Sequence, residues 1–141
     1  MKKVAKLVIV DSRGKYLLMY RSNHPTFGND PDLPGGTLEI GEEPIDAMVR
    51  EVLEEAGIEI DAANVQEMYA GVDYSAHGTH YSLYMTELVN TPEVVMSWEH
   101  SRFEWLEYIP FLEKARSAND TYMHMVYSVL HSCRLGVGPS V

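Results

Sequence analysis

A chain of 141 residues with 45% apolar and 10% aromatic content has room for one ordinary globular domain and excludes a long multidomain architecture. Twenty-one acids against eleven bases give a formal charge of -10, a field that opposes coating a nucleic acid polymer or lying on an anionic membrane. The lone Cys133 excludes an internal disulfide and a cysteine-built zinc site, and the apolar run after Met1-Lys2-Lys3 stops at Asp11, too short for a signal peptide or a span; the expected location is the cytoplasm.

Val4 to Val10 is β-branched, Asp11-Ser12-Arg13-Gly14 supplies turn chemistry, and Tyr16 to Arg21 is a second apolar run, which together predict a hairpin. From Ser22 to Asp32 the residues Asn23, Pro25, Gly28, Asn29, Asp30 and Pro31 predict a long loop leading into Leu33-Pro34-Gly35-Gly36. A helix is predicted over 44–56. Pro44 suits its first turn, Gly57 suits the left-handed residue past its end, and Ile45, Met48, Val49, Val52 and Ala56 form one apolar stripe. Val65 to Ser75 and Tyr81 to Val89 read as strands joined through Ala76-His77-Gly78-Thr79-His80, and Thr91 to His100 reads as a loop. Arg102 to Leu106 alternates as a short strand, and the remainder, chiefly Tyr122 to Cys133, reads as helix. The expected organisation is a single α/β domain over 1–135, with a mixed sheet between helices and a short tail over 136–141.

The chemistry concentrates on the 44–56 helix. Glu51, Glu54 and Glu55 stand at i, i+3 and i+4, where like charges cost an isolated helix about 0.2–0.5 kcal/mol per pair. A solvated acidic face, with Arg50 neutralising Glu54, is one explanation. However, such a face ordinarily lies opposite the apolar stripe, whereas these carboxylates crowd beside it, next to Gly35 and Gly36. Oxygen-only donors on a rigid element suit Mg²⁺, with Mn²⁺ as a substitute: hard cations that bind through a few carboxylates plus substrate phosphates. The two glycines, lacking side chains, let backbone approach an ion or phosphates closely.

Residues 36–58 run Gly36, five residues, Glu42, seven residues, then Arg50-Glu51-Val52-Leu53-Glu54-Glu55-Ala56-Gly57-Ile58. This resembles the signature GX5EX7REUXEEXGU, the Nudix box, of the Nudix hydrolases at every fixed position. The resemblance implies an α/β/α sandwich and Mg²⁺-dependent hydrolysis of a nucleoside diphosphate linked to another moiety. It implies Glu51, Glu54 and Glu55 as metal ligands, with the carbonyl of Gly35 completing the sphere and Glu42 supporting the metal or its waters. Arg50 is similar to the family arginine that orients a catalytic glutamate by ion pairing. The catalytic set expected is Arg50, Glu51, Glu54 and, as general base, Glu99, favoured over Glu104, which alternates on a short strand as a plain outward residue.

Outside the box, Arg21 resembles an arginine that some triphosphate pyrophosphatases of the family place on substrate. Asn23, His24 and Phe27 are candidates for a nucleobase pocket, against the plainer reading of loop polarity with one tucked aromatic. Gly36 is grouped with Arg21 and Phe27 as substrate-facing. Tyr74 stands near the position of a marker tyrosine in diadenosine polyphosphate hydrolases of the family, but packing is the plainer role for a strand tyrosine. His77 and His80 read as turn residues rather than a metal pair, and the methionines at 19, 48, 68, 85, 96, 123 and 125 as core filling. The first expectation is a pyrophosphohydrolase, monomer or homodimer, taking a nucleoside triphosphate to monophosphate and pyrophosphate. Dinucleoside polyphosphates and nucleotide sugars remain alternatives within catalysis, and a non-catalytic ligand-sensing module is the alternative outside it.

Overall fold

A computed structural model describes residues 1–22, 30–75 and 77–134. The first strand, β1 (Lys3–Val10), has its side chains buried on both faces from Val4 onward. That is why its sequence reads as an almost continuous apolar run rather than an alternating one. Ala5, Leu7 and Ile9 enter one core with Met48, Val52 and Ala56. Val8 and Val10 enter the other, with Phe111, Leu112, Met123 and Val126. Lys6 is the single polar break on that second face.

The hairpin partner β2 (Tyr16–Arg21) turns back through Asp11, whose carboxylate accepts from the backbone of Arg13 and Lys15. Two short strands the sequence did not reveal follow: β3 (Pro31–Asp32), which pairs with β2, and β4 (Gly35–Thr37), which pairs with β1. Asp32, assigned from sequence to the end of a loop, therefore belongs to the sheet; the flanking prolines mask a segment too short to show a period. The helix α1 (Pro44–Ala56) begins and ends as the sequence requires. Pro44 occupies the first turn, and Gly57, at φ +69°, donates its N–H to Leu53 O at 3.0 Å.

The strands β5 (Gln66–Gly71) and β6 (His80–Glu87) pair antiparallel, and β6 lies parallel to β1 along its full length. β5 is shorter than the 65–75 expected, so Tyr74 sits in the following turn, edge-on to Tyr69 at 5.8 Å, and packs instead of standing on a strand. β7 (His100–Leu106) pairs with β2, and α2 (Tyr108–Ser117) and α3 (Thr121–Arg134) close the chain. Among the described residues the result is one mixed sheet, ordered β3-β2-β1-β6-β5 with β4 on β1 and β7 on β2, between α1 on one face and α2 with α3 on the other. The methionines at 19, 48, 123 and 125 are fully buried, and those at 68, 85 and 96 pack against the two cores. No helix among the described residues is long and apolar enough to cross a membrane.

Candidate active site

β1 and β4, the edge of α1 that bears Glu51 and Glu55, and the last residues of the irregular stretch 88–99 before β7 come together around one space. They enclose a cleft of about 660 Å³ whose lining includes Glu51, Glu55 and Glu99, the cations Lys2, Lys6 and Arg21, and the rings of Tyr81, Trp98 and Tyr122.

Arg50 organises the α1 side. Its Nε and Nη2 donate to Glu42 at 2.9 Å each, and its Nη1 donates to Glu51 at 2.7 Å, with Glu54 at 3.6 Å. The planar fork therefore spends itself on Glu42 and Glu51 rather than on the i+4 pair. Arg50 and the backbone N–H of Glu39 hold the Glu42 carboxyl down at about 2. Glu51 lies across Gly36: a Cβ at Gly36 would stand 2.6 Å from its carboxylate. The missing side chain at 36 thus makes room for Glu51.

Glu55 is buried and accepts from Gly35 N at 3.0 Å. Burial, with further repulsion from Asp32 and Glu99, raises its pKa to about 8, against the opposing pull of Lys6 and of the Gly35 N–H. Gly35, at φ +135°, lies so close to β1 that a Cβ would meet Ala5 O at 2.1 Å. Glu54 projects outward, half exposed, and neither it nor Glu42 lines the cleft. Among the described residues no three His, Cys, Asp or Glu side chains are gathered so as to hold an ion. The donor chemistry nevertheless fits a hard cation. Glu51, Glu55 and the Gly35 carbonyl are all oxygen donors, and a carboxyl whose pKa burial has raised is the group that a divalent ion would ionise.

Behind them lies a network the sequence reading missed, centred on buried Asp32. Lys6 Nζ donates to Asp32 Oδ1 at 3.1 Å, to Leu33 O at 3.0 Å and to Gly35 O at 3.3 Å, which spends all three of its N–H bonds. Arg21 reaches Asp32 at 3.3 Å and Asp120 at 3.0 Å. Tyr122 donates its hydroxyl to Asp32 while accepting from Leu33 N at 2.9 Å. Burial alone would raise the Asp32 pKa, but Lys6, His100 and Arg21 hold it well below the ordinary range. With Asp32 ionised, His100 Nε2 carries the proton it donates at 2.9 Å, and its Nδ1 is buried without a partner among the described residues. A lysine interrupting an apolar strand was the available sequence signal: buried Lys must be paired.

Glu99 lines the cleft, whereas Glu104 does not; Glu104 accepts a hydrogen bond from Tyr20 and stands 3.6 Å from Arg102 on β7. Asn23, His24 and Phe27 lie outside the described residues. His77 is exposed at the β5–β6 tip, and His80 opens β6 with its N–H on Lys2 O.

The family model for the NUDIX domain matches residues 1–125, and the chain belongs to the Nudix family, hydrolases of phosphoric anhydride bonds. Solved structures of similar fold include DR0079 from Deinococcus radiodurans, with 21% identity, TM-score 0.74, and coverage of 91% of this chain and 82% of that one. A C. elegans Ap4A hydrolase binary complex matches with 23% identity, TM-score 0.65 and coverage of 95% and 97%. A MutT/nudix family protein from Enterococcus faecalis matches with 23% identity and TM-score 0.63 over 74% of this chain, which spans 42% of that protein's length. A comparison with curated proteins gives no significant match.

Proposed function

We propose that this chain is a divalent-metal-dependent pyrophosphohydrolase that takes a nucleoside triphosphate to the monophosphate and pyrophosphate in the cytoplasm. The observation that carries the reading is that Glu51, Glu55 and Glu99 line one cleft with Arg21 and Lys2, so carboxylates for an ion and cations for a polyphosphate face the same space.

In this reading Glu51 and Glu55, with the Gly35 carbonyl, would hold Mg²⁺ or Mn²⁺, and Glu54 and Glu42, outside the cleft lining, would support it through Arg50, which stands beside both. When bound, the ion neutralises phosphate oxygens and acidifies a water. The protein's own residues do the rest. Glu99 accepts the proton of the attacking water. Arg50 keeps Glu51 turned toward Gly36 by their 2.7 Å contact. Arg21, aligned by Asp32 and Asp120, and Lys2 take the phosphates, while Trp98, 85% exposed at the cleft edge, offers a ring for the base to stack on. The likeness to an Ap4A hydrolase structure makes dinucleoside polyphosphates the second reading.

Two substitutions test the site. Glu51→Gln and Glu99→Gln are both expected to keep the fold by circular dichroism. Glu99→Gln should lower kcat by about 10²–10⁴ with little change in KM, the range for loss of a general base. Full turnover by both variants would overturn the proposed site.

A further inference from the structure

We propose that Ser22 is a positioning residue for this reaction, holding the peptide that carries Glu99 so that the carboxylate is presented to the attacking water. The inference rests on the reading of Glu99 given above.

Glu99 ends a stretch, 88–99, with no regular secondary structure, and a side chain on such a segment is placed only as well as its backbone is anchored. Part of the anchoring comes from the end of α1, whose last carbonyls have no partner within the helix. Val95 N donates to Ala56 O at 2.9 Å and Ser97 N to Glu55 O at 3.2 Å. Those bonds stop two residues short of Glu99. Neither Trp98 nor Glu99 is fixed by packing, because both side chains are exposed.

Ser97 spans part of this gap, its Oγ accepting from Glu99 N and its carbonyl from His100 N at 3.4 Å each, and Ser22 closes the rest with both of its donors. Its Oγ donates to Trp98 O at 2.5 Å, and its backbone N–H donates to Glu99 O at 3.0 Å. Two successive carbonyls of the base-bearing peptide are thus held by one residue. The placement of Ser22 follows from β2: the β2–β7 register shifts between Tyr20 and Arg21, so that Arg21 pairs with His100 and the next residue lies against Glu99. On the far side of Glu99, the His100 ring is fixed by Asp32. The peptide is therefore gripped on both sides, by the hydroxyl and N–H of Ser22 and by the ring of His100.

Steady-state kinetics of Ser22→Ala, Ser22→Thr, Glu99→Gln and the double variant Ser22→Ala/Glu99→Gln, on a nucleoside triphosphate with Mg²⁺, test the assignment. Loss of the hydroxyl is expected to lower kcat about fivefold, the equivalent of one hydrogen bond, with KM within twofold and the melting temperature little changed. Thr should restore the rate. In the Glu99→Gln background Ser22→Ala should have no further effect, because Ser22 acts through Glu99. Amide exchange of residues 95–100 should quicken in Ser22→Ala while α1 stays protected, a readout that does not need turnover.

A raised KM at unchanged kcat would make Ser22 a substrate contact and overturn the inference. So would an equal loss in both backgrounds, failure of Thr to rescue, or unchanged exchange over 95–100. If Glu99→Gln turns over normally, the base assignment falls and Ser22 falls with it. If Glu99→Gln is impaired while Ser22→Ala is not, only Ser22 falls.

Discussion

Glu55 carries an unusual load for a helix glutamate: it is buried, bonded to the box loop through Gly35 N, and raised to about 8 by its burial. Its folded-state pKa lies above the ordinary 4.5, so folding favours the protonated form. In metal-free protein this stabilising contribution is complete below about 4.5 and is lost as pH rises through about 8. The melting temperature without metal should therefore decline across that window, and Glu55→Gln should flatten the decline. Mg²⁺ should raise the wild-type melting temperature more at pH 8 than at pH 6. Equal pH slopes in wild type and variant would remove Glu55 from this role.

The adjacent glycines separate stability from placement. A Cβ at Gly35 meets backbone atoms of β1 that cannot retreat, so Gly35→Ala should cost more than about 2 kcal/mol in urea denaturation. A Cβ at Gly36 meets the movable end of Glu51. Gly36→Ala should stay within about 1 kcal/mol of wild type yet lose turnover through displacement of that carboxylate.

At the scale of elements, the β1–β2 turn is built on one carboxylate. Asp11 accepts from Arg13 N, Lys15 N, Arg13 Nε and Thr91 Oγ1, the last tying the turn to the stretch that leads toward Glu99. Burial would raise its pKa, but these donors hold it at about 2, below the ordinary 3.8. Its stabilising contribution is present above about 3.8 and is lost as pH falls toward 2. Asp11→Ala should lower stability by about 1–2 kcal/mol near neutrality, and the gap to wild type should close between pH 4 and pH 2.

The helix α1 was legible in the sequence to the residue, because Pro44, Gly57 and the apolar stripe are local signals. The hairpin and the β5–β6 pair were legible from runs and turn residues, with β5 overextended into the turn that holds Tyr74. What the sequence hid was long-range. β3 and β4 are too short to show a period, and Asp32 gathers Lys6, Arg21, His100 and Tyr122 from β1, β2, β7 and α3, partners that only the folded sheet brings together. Of the predicted site residues, the box motif named Glu51 and Glu55 at their helical positions, but that Glu54 turns away from the cleft depends on how α1 docks.

For the whole molecule, the charge of -10 is unevenly spread: residues 39–59 hold eight acids against the single base Arg50, leaving -3 for the other 120 residues. The acidity that opposes polyanions is therefore largely a property of the box and its flanks. The lining of the cleft beside it also includes Lys2, Lys6 and Arg21. On the proposed function a polyphosphate accompanied by a divalent ion would meet both signs in this cleft, whereas a bare polyphosphate would meet the acidic side uncompensated.

The most direct measurement is product analysis of a nucleotide panel with and without Mg²⁺. The proposed function predicts that at least one nucleoside triphosphate is converted to monophosphate and pyrophosphate at a rate that vanishes when the metal is chelated. Turnover that persists in chelator, or dinucleoside polyphosphates cleaved far faster than every triphosphate, would contradict it.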